Sequence, residues 1–91
     1  MSEERKLEGL AGWHKEGNYI VREYSTKNWK ESVFLFNTIA GFAEAYWHHP
    51  DVEVSFKRVR VKLTTHEVGG ITEKDIKLAQ EIEKIATLLL K

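Results

Sequence analysis

Three of the four histidines in this sequence keep company that suggests proton chemistry. His48 and His49 run into Pro50, and His66 follows Thr64 and Thr65. Imidazole is the side chain whose ordinary pKa, about 6.5, lets it give and take protons near neutrality. A helix C-terminus stabilises the imidazolium, typically by about 0.3–1 kcal/mol, so a His pair at such a point suits an acid. The hydroxyls beside His66 suit the orientation of a polar ligand. Should the two points meet, one pocket holds two or three imidazoles. Glu44, one helical turn ahead of His48, is spaced for a carboxylate–imidazole contact and equally for an ordinary solvated charge. His14 has no such company and reads as surface. A plain C-cap accounts for His48 and His49 equally well.

The elements that must hold these residues follow from hydrophobic period. Trp13-His14 and Tyr19–Tyr24 flank the turn pair Gly17-Asn18 and read as a hairpin, preceded by a mixed dozen residues expected to form a turn or loop. Ser25 and Thr26 offer capping hydroxyls to a helix over about 28–47, whose apolar face is expected to carry Val33, Phe34, Phe36, Phe42, Ala43 and Trp47. Pro50 disfavours helical geometry at His49 and stops it there. Val52, Val54 and Phe56, then Val59, Val61, Leu63 and Thr65, alternate with polar residues and predict two strands meeting in a tight turn at Lys57-Arg58. Gly69-Gly70 ends the second strand just past His66. Thr72-Glu73-Lys74-Asp75 is a capping-box start with Ile71 and Ile76 as its staple, so Asp75 has a structural role ready-made. Ile76, Ala79, Ile82, Ile85, Ala86 and Leu89 line the helix that follows. The order β-β-α-β-β-α, with short hairpins, implies an α+β two-layer sandwich: a four-stranded antiparallel sheet with both helices on one face.

Composition bounds the rest. A chain of 91 residues reads as one domain spanning 1–91, with a thin core that association would help. Fourteen basic and fourteen acidic residues cancel, which leaves no global field to gather nucleic acid or an anionic membrane. There are no cysteines, no apolar run follows the charged first residues, and no stretch approaches a membrane span. The expected compartment is the cytoplasm.

Taken together, Ala43-Glu44, His48-His49-Pro50-Asp51, Val59-x-Val61-x-Leu63-x-Thr65-His66-Glu67, Gly70-Ile71-Thr72-x-x-Asp75 and Leu78-Ala79 resemble the pterin-4a-carbinolamine dehydratases over about residues 10–90. The resemblance implies the same two-layer fold and a lyase that dehydrates a 4a-hydroxytetrahydropterin to the quinonoid dihydropterin during cofactor recycling. It puts proton transfer on His48 and His66 and substrate holding on His49. The substrate-contacting set then reads Glu44, Pro50, Thr64, Thr65, Glu67, Trp13 and Asp75, with neither metal nor cofactor, although Trp13 by residue type suits a core or interface position equally. It also implies a homodimer or homotetramer. Trp47, Val52, Val54 and Lys74 depart from the family pattern and bear on the pocket rim and the pterin side chain.

Two other readings compete. Three histidines are a known zinc set, but adjacent residues rarely aim both imidazoles at one ion and the sequence offers no fourth ligand. The fold also serves some family members as a protein-binding module or transcriptional coactivator, so a protein partner stands as the alternative to catalysis.

Overall fold

The computed structural model describes residues 10–90, so the expected N-terminal turn lies largely outside the described residues. Among the described residues four strands, β1 (His14–Glu16), β2 (Tyr19–Ser25), β3 (Asp51–Ser55) and β4 (Arg58–Leu63), and two helices, α1 (Trp29–Tyr46) and α2 (Glu73–Leu89), follow the expected β-β-α-β-β-α order. The strands form one sheet in the order β1-β2-β4-β3, antiparallel throughout. Ile20, Tyr24, Val59, Val61 and Leu63 point to one face, where they pack with Leu35 and Ile39 of α1 and Ile76, Leu78, Ala79, Ile82 and Ala86 of α2. The opposite face is charged: Glu23 and Glu53 flank Arg60, and Asp51 pairs with Lys62 across the strands. This is the α+β sandwich implied by the period-2 strands, with one apolar and one polar sheet face.

Turn chemistry explains the first hairpin. Glu16 pairs with Tyr19, so Gly17-Asn18 is a two-residue turn, and Gly17 takes a φ of 60° that few other residues tolerate. The second hairpin corrects the expected turn by one residue. Ser55 pairs with Arg58, so Phe56-Lys57 makes the turn and Phe56 is turned out to solvent. This register sets Val54 against Val59 and Val52 against Val61, keeping the valines in rows on the core side.

The helix start and face also need correction. Asn28, rather than Ser25 or Thr26, caps α1, accepting from the Glu31 N–H at 2.9 Å, while Thr26 is buried against the Ser32 hydroxyl. The buried stripe is Ser32, Leu35, Ile39 and Ala43, at spacings of three and four. Phe34 and Phe36, expected in the core, face outward. Bulk does not decide burial here: Leu35 and Ile39 continue the stripe, and the Ser32 hydroxyl is buried because it donates to the Phe56 carbonyl at 3.2 Å. On α2, Leu78 joins the core and Leu89 is exposed.

Candidate functional site

The site forms where the C-terminus of α1, the exit of β4 and the N-terminus of α2 come together. Helix α1 stops earlier than Pro50 requires. It ends at Tyr46, and Trp47 adopts left-handed φ and ψ of 52° and 48°. The Trp47 N–H returns to the Ala43 carbonyl, as does that of His48 at 3.0 Å, which satisfies the last turn and swings His48 inward. Strand β4 likewise ends before His66, at Leu63. Thr65 then bridges to Gly70, its N–H donating to the Gly70 carbonyl at 2.9 Å, and the intervening loop presents His66 to solvent. Gly69, at φ 69°, permits that tight return.

Asp75 is the anchor. It occupies the third position of α2, where its carboxylate accepts the Thr72 N–H at 2.8 Å and completes the expected capping box. The same carboxylate, fully buried, accepts the Thr65 hydroxyl at 2.7 Å and lies 2.6 Å from His48 Nε2. A buried carboxylate accepts, so His48 donates from Nε2 and its tautomer is fixed, with Nδ1 left over. His48 itself is buried but for 9% of its surface. Three elements are tied at one side chain.

Around this anchor the chain brings together His48, His49, Thr64, His66 and Glu67, with Trp47 and Lys74, in an open pocket of about 280 Å³. His49 Nε2 lies 2.7 Å from Glu44, so the carboxylate spaced for His48 serves His49 instead, because the left-handed residue rotates the chain between them. Both are well exposed, and the Trp47 ring meets His49 at 4.9 Å, nearly perpendicular. The His66 ring stands edge-on to Tyr19 at 6.4 Å. The Glu67 carboxyl is held below the ordinary glutamate range by its own backbone N–H and then by the Lys74 ammonium. The pocket therefore combines imidazoles, a cation and an ionised carboxylate.

Other expected site residues make internal contacts. The Thr64 hydroxyl donates to the Asn18 carbonyl and that of Thr65 to Asp75, so both brace the site through internal bonds. Pro50 lies in a neighbouring groove with Glu44, His49 and Val52. Trp13 is buried, and its indole N–H donates to Glu83 at 2.9 Å, which places it outside the histidine pocket. Among the described residues no group of three or more His, Cys, Asp or Glu side chains is placed to hold a metal ion. Trp47, expected on the apolar face of the first helix, lies beyond its end and is exposed, because its left-handed backbone turns the side chain outward; it enters the pocket wall with Lys74. Once the capping box is recognised, Asp75 is predictable as a buried carboxylate, but its bond to His48 depends on the packing of α1 beside α2.

The chain belongs to the pterin 4 alpha carbinolamine dehydratase family, whose model matches residues 2–85. A relative in Aquifex aeolicus, provisionally named a pterin-4-alpha-carbinolamine dehydratase, is 61% identical over 87 residues, covering 96% of this chain and 88% of its own. One in Thermomicrobium roseum with the same provisional name is 43% identical over 81 residues, covering 89% and 87%. The crystal structure of a transcriptional coactivator/pterin dehydratase from Brucella melitensis matches with a TM-score of 0.88 at 34% identity, covering 92% of each chain. A pterin dehydratase-like protein identified as a RuBisCO assembly factor in the alpha-carboxysome shares the fold, with a TM-score of 0.67 at 12% identity over 81% of this chain and 86% of its own. No helix among the described residues is long and apolar enough to cross a membrane.

Proposed function

We propose that this protein dehydrates a 4a-hydroxytetrahydropterin to the quinonoid dihydropterin, by proton transfer between the substrate and two histidines, as a step in recycling a reduced pterin cofactor in the cytoplasm. The observation that carries this reading is the pairing of His48 and His66 in one pocket, with His48 held by the buried Asp75. The reaction breaks the C4a–oxygen bond, delivers one proton to the departing oxygen and removes one from the neighbouring ring nitrogen, so that a C=N bond forms and water leaves. His48, donating to Asp75 through Nε2, offers Nδ1 as the base. Asp75 stabilises the charge that develops there, in the manner of the carboxylate of a catalytic triad. His66, exposed at the loop tip, is the proton donor to the oxygen. His49, oriented by Glu44, holds the substrate, with Glu67 and Lys74 as polar contacts at the rim.

The test is stopped-flow dehydration of freshly generated carbinolamine. The wild type should exceed the uncatalysed rate, and His48→Ala and His66→Ala should each lose on the order of 10²–10⁴ in catalytic rate. Wild-type rates in both variants would overturn the assignment, and a wild type no faster than buffer would overturn the activity.

A specific feature favours protein association as well. Trp29 and Phe34 of α1 are 54% and 56% exposed, and Leu88 at the end of α2 is 61% exposed. Exposed apolar residues of this size mark contact surfaces. They support a homodimer or dimer of dimers, and equally a protein partner in a coactivator-like role. A protein inactive on the pterin that brings down one stoichiometric partner would make that role the primary one.

A further inference from the structure

Trp47 sits in a position that stability alone does not explain. It is 74% exposed, more than any other large apolar side chain among the described residues. Its backbone is left-handed, a conformation that L-residues with a Cβ adopt reluctantly and that glycine or asparagine commonly fills at a helix end. An indole left in water, on a residue that disfavours its own backbone geometry, contributes little to folding. The indole nevertheless forms part of the wall of the histidine pocket, beside His48, His49 and His66. The left-handed turn that points His48 inward to Asp75 leaves the Trp47 side chain at the mouth. The perpendicular His49 ring at 4.9 Å holds its orientation. Neither of the other tryptophans is placed this way: Trp13 is buried with its N–H on Glu83, and Trp29 begins α1 at the far end of that helix.

We infer that Trp47 is a stacking platform that sets the ring specificity of the pocket: the planar, conjugated pyrimidinone half of a pterin lies against the indole while its polar edge meets the imidazoles, Glu67 and Lys74. The inference rests on the pterin reading above and goes beyond it, assigning ring recognition to a residue by which this chain departs from its family's usual sequence. An exposed indole offers a π-face and a large contact area with little side-chain freedom to lose, which suits a flat, electron-poor ring and does little for an acyclic or purely charged ligand.

The test uses a fully oxidised pterin, flat and unreactive, as probe. Calorimetry and quenching of tryptophan emission are compared for wild type, Trp47→Phe and Trp47→Ala. The alanine variant should bind roughly tenfold more weakly, by analogy with base–aromatic stacking. The phenylalanine variant should bind within about threefold of wild type. Quenching should be weaker at saturation in both variants, because contact quenching of Trp47 is lost and only energy transfer from Trp13 and Trp29 remains. In turnover of the carbinolamine, Trp47→Ala should act mainly through KM, whereas loss of a proton-transfer group acts on kcat. Undiminished binding by Trp47→Ala overturns the inference, as does quenching at saturation that is undiminished in Trp47→Phe. So does an assembly state that changes in Trp47→Ala while pterin affinity does not, since the indole then faces a second copy. Dehydration by a wild type that does not bind the flat probe overturns the stacking role and leaves the dehydratase reading standing. Trp47-dependent binding without dehydration does the reverse.

Discussion

Replacing Asp75 by asparagine should separate the two tasks of that residue. One carboxylate oxygen, Oδ2, accepts from the Thr72 N–H, which can only donate, and from the Thr65 hydroxyl; the other, Oδ1, faces His48 Nε2 at 2.6 Å. In Asp75→Asn the amide oxygen therefore stays at the Oδ2 position and the NH₂ is turned toward His48. Nε2 must then accept, the imidazole proton moves to Nδ1, and the nitrogen assigned as base carries a hydrogen. A tautomer error of this kind costs about 10⁴ in a serine-protease triad, so a loss of roughly 10²–10⁴ in dehydration rate is expected here. The capping bonds survive, so the stability cost should be that of one charge-assisted bond, about 1.5–3 kcal/mol. Asp75→Ala removes all three bonds and strands a buried imidazole. Its cost should approach the 3–5 kcal/mol of a broken buried pair rather than the 0.5–2 kcal/mol of a lost cap. At about 4–8 °C per kcal/mol for a domain of this size, that lowers Tm by roughly 12–40 °C. Circular-dichroism melts and stopped-flow rates at a temperature where each variant is folded measure both quantities. A wild-type rate in Asp75→Asn would refute the tautomer argument, and an Asp75→Ala cost no larger than a cap would refute the buried pair.

His49→Gln and Glu44→Gln should raise KM with little change in kcat, since that exposed pair is assigned to holding the substrate; a pure kcat defect would contradict this. Burial alone would raise the pKa of Glu83, but hydrogen bonds from Tyr24, Arg22 and Trp13 outweigh it and leave the carboxyl below its ordinary 4.5. Its contribution is thus present above about pH 4.5 and lost as pH falls through the lowered folded value; acid melts of Glu83→Gln should show a shallower loss than wild type over that window, and parallel curves would refute the assignment. Light scattering at low micromolar concentration should return a multiple of 10.6 kDa, and Leu88→Glu should reduce it if α2 ends in the interface; a monomer mass for wild type would dismiss the assembly.

Much of this architecture was legible because it rests on local rules. Gly17-Asn18, the alternating valines and the Thr72–Asp75 box each specify an element by chemistry within a few residues. What escaped depends on contacts between elements. Phe34 and Phe36 look like core from type and spacing, and only the placement of α1 on the sheet turns Leu35 and Ile39 inward instead. Trp47 gives no hint of a left-handed backbone, so the pairing of Glu44 with His49 rather than His48 was hidden. The internal acceptors of the two hydroxyls beside His66, Asn18 and Asp75, were hidden because they lie far away in sequence. Within the site, residue types and positions were readable, while hydrogen-bond partners required three dimensions.

Glu83 gathers Trp13, Arg22 and Tyr24, residues 59 to 70 positions earlier, onto one carboxylate in the last helix. Burial and the bond to Glu83 push the Tyr24 hydroxyl above its ordinary range, so it keeps its proton and goes on donating to the Glu83 carboxylate throughout physiological pH. The first hairpin is thereby fastened to α2. Contacts of such sequence separation form late, after the loop-closure cost of nearly the whole chain has been met. During synthesis β2 can pair with β4 before α2 emerges, but Trp13, Arg22 and Tyr24 wait for α2, and a chain cut before Glu83 loses this sheet-to-helix fastening. The protein should accordingly fold as one cooperative unit, with its N-terminal strands among the last parts to become protected from exchange.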